Sequence, residues 1–253
     1  GRPAGAPRRQ LARTATPCNA RPDVRFAPPR APHRHPAGII ASVSSEELPG
    51  PLELASLLSS RICHDVVGPV GAIINGLELL ESDDSPETRE LAMQLVEKSA
   101  RQASASLQFM RLAFGAGGSA GSMIDLADAG RMMEAQFEHE RADLALQLPV
   151  AIAPRSSVKV LLNLAIFAIR AIPRGGTVTV TAEMEGEKAA FTVVAQGVKA
   201  RVPDTTPFVI GEPSDVPLDP HSIQPYLTGL LARDIGMTVT ASLDEDRFTL
   251  DAR

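Results

Sequence analysis

Apolar residues recur at helical spacing along the segment that surrounds His64. At 100° per residue, they form one stripe: Leu58, Ile62, Val66, Val70, Ile73, Leu77 and Leu80. His64 projects roughly 160° from the centre of this stripe, so the pattern predicts an amphipathic helix with an exposed histidine. Pro69 follows five residues after His64 and should remove one backbone hydrogen bond and bend the helix.

A second amphipathic helix is predicted after a short turn. Ser85 is placed to cap it, Pro86 takes its first position, and Glu87 lies near the positive end of its dipole. Its apolar positions up to about residue 114 recur at steps of three and four: Ala92, Val96, Ser99, Ala103, Leu107, Met110 and Phe114. Glycines between 115 and 121 predict a flexible connector. Because two such helices cannot bury both of their apolar stripes against each other, we expect a homodimeric four-helix bundle.

The remaining chain predicts a mixed α/β domain. Helical patterns over 128–141, 155–171 and 222–235 alternate with extended runs. Those runs cover 144–148, 177–183, 189–195, 237–243 and 247–251. The predicted fold class is therefore α plus α/β, with a helical hairpin over 49–117 followed by an α/β sandwich over 122–253.

Residues 1–48 have a different composition from the rest. The first 36 residues contain eight arginines, eight prolines and one acid, Asp23, which predicts disorder. Three interpretations compete for this stretch: a nucleic-acid or membrane tether, an inert extension, or a translated upstream reading frame. We favour an inert or artefactual extension, because GC-rich codons give arginine, proline and alanine by default.

The composition also bears on compartment. No uninterrupted apolar run approaches 18 residues, so we predict no membrane-spanning segment. Cys18 and Cys63 are too few and too different in context for a disulfide framework, which favours a reducing cytoplasm.

The predicted first helix contains the spacing H-D-x-x-x-P at His64, Asp65 and Pro69. This resembles the phosphoacceptor helix of bacterial histidine kinases. A carboxylate that accepts a hydrogen bond from Nδ1 leaves the Nε2 lone pair free to attack phosphorus, so Asp65 is the candidate that orients the imidazole. Without the resemblance, an exposed histidine beside an acid would more often be a solvated surface pair.

Small residues on the outer face of this helix would let another protein approach His64. The candidate docking residues there are Arg61, Val67, Gly68, Gly71 and Asn75.

The segment 160–180 resembles the ATP-binding domain of histidine kinases, but the nucleotide contacts are missing. Phe167 stands where those kinases have the asparagine that holds magnesium, and an aromatic ring cannot ligate that ion. The adenine-binding D-x-G-x-G falls on 195–199, where only Gly197 remains. The phosphate-cradling glycine loop falls on 224–231, where only Gly229 remains. We therefore expect no cofactor and no metal site of the protein's own.

Together these features resemble the ChpT-type histidine phosphotransferases. The resemblance covers the chain from Glu53 onward and includes the C-H-D at Cys63 to Asp65 and the pattern L-x-F-x-R-x-A-F-G-A at 107–116. It implies a dimeric phosphorelay carrier that accepts a phosphoryl group from the receiver domain of a CckA-like hybrid kinase. It would pass this group to CtrA-like and CpdR-like regulators of the cell cycle, with Mg²⁺ supplied by the receiver.

Two other functions remain possible from the residues. An active histidine kinase would need the ATP contacts that are missing. A receiver-binding scaffold or kinase inhibitor would keep the dimer but could dispense with His64. No nucleic-acid partner is expected.

Overall fold

The computed structural model describes residues 49–83, 85–115, 121–149, 152–185 and 188–253. The predicted disordered extension, 1–48, lies outside these residues, and so does most of the predicted glycine connector. The described residues belong to one compact unit, in which the helical hairpin packs against the α/β portion.

The hairpin consists of α1 (Pro51–Ser82) and α2 (Pro86–Ala113). The predicted cap is confirmed, because Ser85 Oγ accepts a hydrogen bond from the Thr88 amide at 3.4 Å. Helix α1 continues through Pro69, which is buried. Gly76 is buried too, and a Cβ there would lie only 3.2 Å from the Ala92 carbonyl oxygen. A glycine at this position therefore allows the two helices to approach closely.

The buried face of α2 changes towards its C-terminal end. Leu107, which the helical period placed in the seam, is 48% exposed, whereas Ser106, Phe109 and Leu112 are buried. Phe109 and Leu112 belong to the core of the α/β portion, since α2 packs there against two of its helices. The last turns of α2 thus join the two parts of the molecule.

The α/β portion contains the predicted elements in the predicted order. They are β1 (Met123–Asp125), α3 (Leu126–Phe137), β2 (Ala142–Gln147), β3 (Ile152–Pro154), α4 (Arg155–Ile169), β4 (Gly176–Glu185), β5 (Lys188–Gln196), α5 (Thr206–Ile210), α6 (Ile223–Asp234), β6 (Val239–Asp244) and β7 (Arg247–Ala252). The main sheet has the strand order β2-β4-β5-β7-β6, in which β2 and β4 are parallel and the other neighbours antiparallel. Strands β1 and β3 form a separate antiparallel pair. The predicted hairpin followed by an α/β sandwich is confirmed. The sequence pattern did not predict β1, β3 and α5, which have only three to five residues each.

Helix α4 forms the centre of the core. It lies against β4, β5 and β7 on one side and against α2, α3 and α6 on the other. Its Phe167 ring meets the Phe248 ring of β7 edge to face, with centroids 6.4 Å apart, and both side chains are fully buried. This arrangement fixes the C-terminal end of α4 near the hairpin.

Helix α1 keeps an apolar face that the other described residues leave partly uncovered. Val70, Ile74 and Leu77 recur at helical spacing and are 42%, 51% and 48% exposed. By length and composition α1 is apolar enough to cross a membrane, with a mean hydropathy of 1.3 in an 18-residue window that is 6% buried. The sequence predicted no membrane-spanning segment because no uninterrupted apolar run is long enough. The average over a window is nevertheless apolar, because only a few charged residues interrupt the helix. A core helix of a helical bundle has the same composition.

Candidate functional site

The site is built around His64 on the exposed side of α1. The His64 side chain is 65% exposed, and its Nδ1 lies 3.1 Å from Asp65 Oδ1. In the tautomer that donates from Nδ1, the neutral imidazole keeps its lone pair on Nε2. The arrangement therefore presents a nucleophilic nitrogen to an incoming group.

Arg61 holds the other side of the same carboxylate. Its Nε donates to Asp65 Oδ2 at 2.7 Å across one helical turn, and the two side chains are 19% and 26% exposed. Each oxygen of Asp65 thus has its own partner. Arg61 differs from the other candidate docking residues, since most of its side chain is covered and its guanidinium positions Asp65.

The other four candidate docking residues lie open on the same helix as His64. Val67 is 67% exposed and Asn75 is exposed. A Cβ at Gly68 or Gly71 would meet nothing within 4 Å. Among the described residues, the surface at these two glycines is therefore open to an approaching protein.

Two basic residues of the α/β portion, which sequence reasoning missed, lie close to His64. The His221 ring lies 5.5 Å from the His64 ring, centroid to centroid, at an interplanar angle of 80°. Arg170, at the C-terminal end of α4, donates from Nη2 to the His221 carbonyl oxygen at 2.9 Å. Burial and the neighbouring charge of Arg61 lower the pKa of Arg170 to about 10, while Asp65 and Asp219 act in the opposite direction.

A short loop before α6 holds His221 in place. Asp219 Oδ1 accepts hydrogen bonds from the His221 and Ser222 amides, both at 2.8 Å. Ser222 Oγ in turn donates to the Pro217 carbonyl oxygen at 2.8 Å. Burial raises the pKa of Asp219, but the amide hydrogen bonds from Ser222 and His221 outweigh it and keep that pKa below its usual range. The loop is thus ordered by its own side chains.

A cleft of about 340 Å³ opens beside this cluster, between the hairpin and the α/β portion. Its lining includes Arg61, His64 and Asp65 together with polar side chains of α2, α4 and α6. Gln224 is 2% exposed and donates to the Asn163 carbonyl oxygen at 2.9 Å. Its Oε1 has no donor among the described residues.

The positions that would contact a nucleotide are filled by the core. Phe167 and Ala195 are fully buried. The stretch 224–231 lies inside α6, and a Cβ on Gly229 would come within 2.0 Å of the Phe208 carbonyl oxygen. Close packing of α5 on α6 thus accounts for this glycine. These residues do not fit Mg-ATP, and the described part of the chain contains no cluster of three or more His, Cys, Asp or Glu residues suited to a metal.

Comparisons with known proteins agree with this architecture. The family model of the histidine phosphotransferase C-terminal domain matches residues 126–247. Protein phosphotransferase ChpT of Brucella abortus (strain 2308) is 44% identical over 190 residues, which cover 75% of this chain and 90% of that protein. A solved structure described as a bacterial phosphotransferase at 1.7 Å aligns with a TM-score of 0.74 and 38% identity, covering 83% of this chain and all of the other.

The fold and these relatives define a histidine phosphotransferase of bacterial phosphorelays. Within that class, the chain belongs to the ChpT-type family.

Proposed function

We propose that His64 is the phosphoacceptor of this phosphotransferase. It accepts a phosphoryl group from a receiver-domain aspartate of a hybrid kinase and passes it to the receiver domains of response regulators. The observation that carries the proposal is the exposed imidazole whose Nδ1 is engaged by Asp65, itself held by Arg61. Incubation with a panel of phosphorylated receiver domains tests it, and the expected result is label on His64.

The transfer step follows from this geometry. The Nε2 lone pair attacks phosphorus while the bond from phosphorus to the receiver's carboxylate oxygen breaks and leaves its electron pair on that oxygen. Positive charge then develops on the imidazole, and the Asp65 carboxylate at Nδ1 stabilises it. The receiver would supply Mg²⁺, so this chain has only to position the nucleophile. Transfer to the next receiver reverses the same step.

Replacing Asp65 with asparagine should slow transfer about tenfold or more, with receiver affinity unchanged. The amide keeps the size of the side chain but removes the charge, and a hydrogen bond to a charged group contributes about 1.5–3 kcal/mol. Rates of transfer from a phosphorylated receiver at saturating and limiting protein concentration separate the two effects. Arg61→Gln is the matched control. This variant leaves the carboxylate at His64 and should slow transfer less. If the Asp65→Asn variant transferred within twofold of the wild-type rate, Asp65 would be only a solvated surface residue without a role in transfer.

We further propose that the protein binds no ATP and has no autokinase activity. The buried Phe167 and the helical course of 224–231 support this. A ligand that binds only the folded state raises its thermal midpoint. We therefore expect millimolar Mg-ATP to shift the midpoint by less than about 1 °C. A concentration-dependent rise, or incorporation of the γ-phosphate into the protein, would restore the histidine-kinase alternative.

A second copy of this chain is the proposed occupant of the open apolar face of α1. The two helices of one hairpin leave Val70, Ile74 and Leu77 about half exposed, and a four-helix bundle from two hairpins would cover them. This would account for the apolar character of α1 without a membrane, and we place the protein in the cytoplasm. Sedimentation of the full chain should show a dimer.

The α/β portion is proposed to bind receivers together with the face of α1 beside His64. CckA-like, CtrA-like and CpdR-like receivers are the expected partners. Because Phe109 and Leu112 of α2 are buried in the core of the α/β portion, an isolated hairpin would expose them. The contribution of the α/β portion is therefore better measured with surface variants of the full chain.

A further inference from the structure

Two basic side chains of the α/β portion belong to the surroundings of His64 and take no part in the transfer step described above. His221 places its ring 5.5 Å from the His64 ring. Arg170 donates a hydrogen bond to the His221 carbonyl oxygen and is near enough to Arg61 and Asp65 to feel their charges. Both come from a different part of the chain than the helix that carries His64.

Arg170 has donors to spare. A guanidinium has five N–H groups, and among the described residues that of Arg170 makes only the hydrogen bond to His221. Its Cζ lies 5.9 Å from the centroid of the buried Phe167 ring. The side chain is thus partly enclosed and held in place, and its remaining N–H groups are available to an anion.

The acids of the site are already engaged. Asp65 faces Arg61 with one oxygen and His64 with the other. Asp219 Oδ1 accepts two backbone amides. Neither acid is paired with Arg170, so its partly buried guanidinium has no carboxylate partner among the described residues.

We propose that Arg170 and His221 are positioning residues that bind the phosphoryl group once it is attached to His64. This inference rests on the proposed function, because it assumes that His64 carries a phosphoryl group. A phosphoryl group on Nε2 brings close to two negative charges and three acceptor oxygens to the side of the ring turned away from Asp65. Arg170 donates to these oxygens as a cation. His221 donates from a ring N–H in either protonation state.

The consequence is a link between phosphorylation and the contact of the two parts of the molecule. The phosphoryl group on His64 of α1 attracts Arg170 at the end of α4 and His221 in the loop before α6. Phosphorylation therefore strengthens the contact of α1 with α6. The receiver that takes the phosphoryl group has to displace Arg170 and His221 from it.

The ionisation of the phosphoryl group tests this proposal. Phosphoramidate phosphorylates histidines chemically, so the full chain can be labelled without any receiver. The ³¹P resonance of phospho-His64 is the one that His64→Ala lacks. Arg170 as a cation and His221 as an N–H donor both favour the doubly ionised phosphoryl group, so its pKa should be about 0.5 unit or more higher in Arg170→Gln and in His221→Ala than in wild type. The double variant should show a larger rise.

Two controls make the outcome specific. Arg170→Lys restores the charge and should bring the pKa back towards the wild-type value, and Arg174→Gln removes an exposed arginine just beyond α4 and should leave it unchanged. His221 is exposed, so the result for His221→Ala decides the question if Arg170→Gln fails to fold. Overlapping titration curves for wild type and His221→Ala would overturn the proposal. Failure of receivers to label His64 would overturn the proposed function but leave this measurement intact.

Discussion

Replacing His64 with alanine should abolish phosphoryl transfer from receiver domains, with no residual label on the protein. The imidazole supplies the nitrogen to which the phosphoryl group is attached, and alanine has no nucleophile to replace it. The measurement is transfer of radioactive phosphate from a phosphorylated receiver to the full chain. Because the sequence contains five histidines, His139→Ala is the matched control and should be labelled like wild type.

The fold should survive this substitution. The His64 side chain is 65% exposed, so its removal should change the free energy of unfolding by less than about 0.5 kcal/mol. Sedimentation should give the same oligomeric state for His64→Ala and wild type. Label on the alanine variant would mean that a residue other than His64 is the phosphoacceptor. Unlabelled wild type that still binds receivers would favour the scaffold alternative.

The sequence predicted best where a local pattern decides the structure. The second helix begins at Pro86 because Ser85 caps it and proline fits the first position, and both facts are local. The contact of Asp65 with His64 joins neighbouring residues of one helix, so it also depends on local structure alone. The exposed side of α1 followed in the same way from the period of its apolar residues.

The sequence predicted poorly where distant segments decide the structure. The helical period placed Leu107 in the buried seam, but α2 leaves the hairpin there and packs on α3 and α4, so Phe109 and Leu112 are buried instead. Arg170 and His221 approach His64 from segments more than 100 residues away. The available signal was an arginine directly after the apolar run 164–169, which has no unique interpretation by itself.

The structure explains why a phenylalanine stands at position 167, where the histidine kinases have an asparagine. The sequence predicted only that an aromatic ring cannot replace a magnesium ligand. In the structure the ring is fully buried, faces Phe248 at 6.4 Å and lies below the guanidinium of Arg170. Phe167, which stands in place of the magnesium ligand, is thus part of the core beneath Arg170.

Phe167→Ala should therefore have the largest effect on stability of the variants considered, a loss of about 3–5 kcal/mol in the free energy of unfolding. The substitution removes a fully buried ring from the centre of α4 and leaves a cavity between α4 and β7 that the surrounding elements cannot close. Denaturant unfolding of the full chain measures it. Val198→Ala is the control, since Val198 is 65% exposed and its truncation should cost less than about 0.5 kcal/mol.

Phe167→Asn separates packing from ligand chemistry at the same position. It restores the residue type that would hold magnesium, but it also places an amide among apolar side chains, and burying an unpaired amide costs about 1–3 kcal/mol in addition to the lost packing. We therefore expect Phe167→Asn to be at least as destabilised as Phe167→Ala and to gain no stability from Mg-ATP. A variant that recovered stability on addition of Mg-ATP would mean that the α/β portion still forms a nucleotide pocket around this position. Phe167 would then be a single side chain that closes a nucleotide site, and not a permanent part of the core.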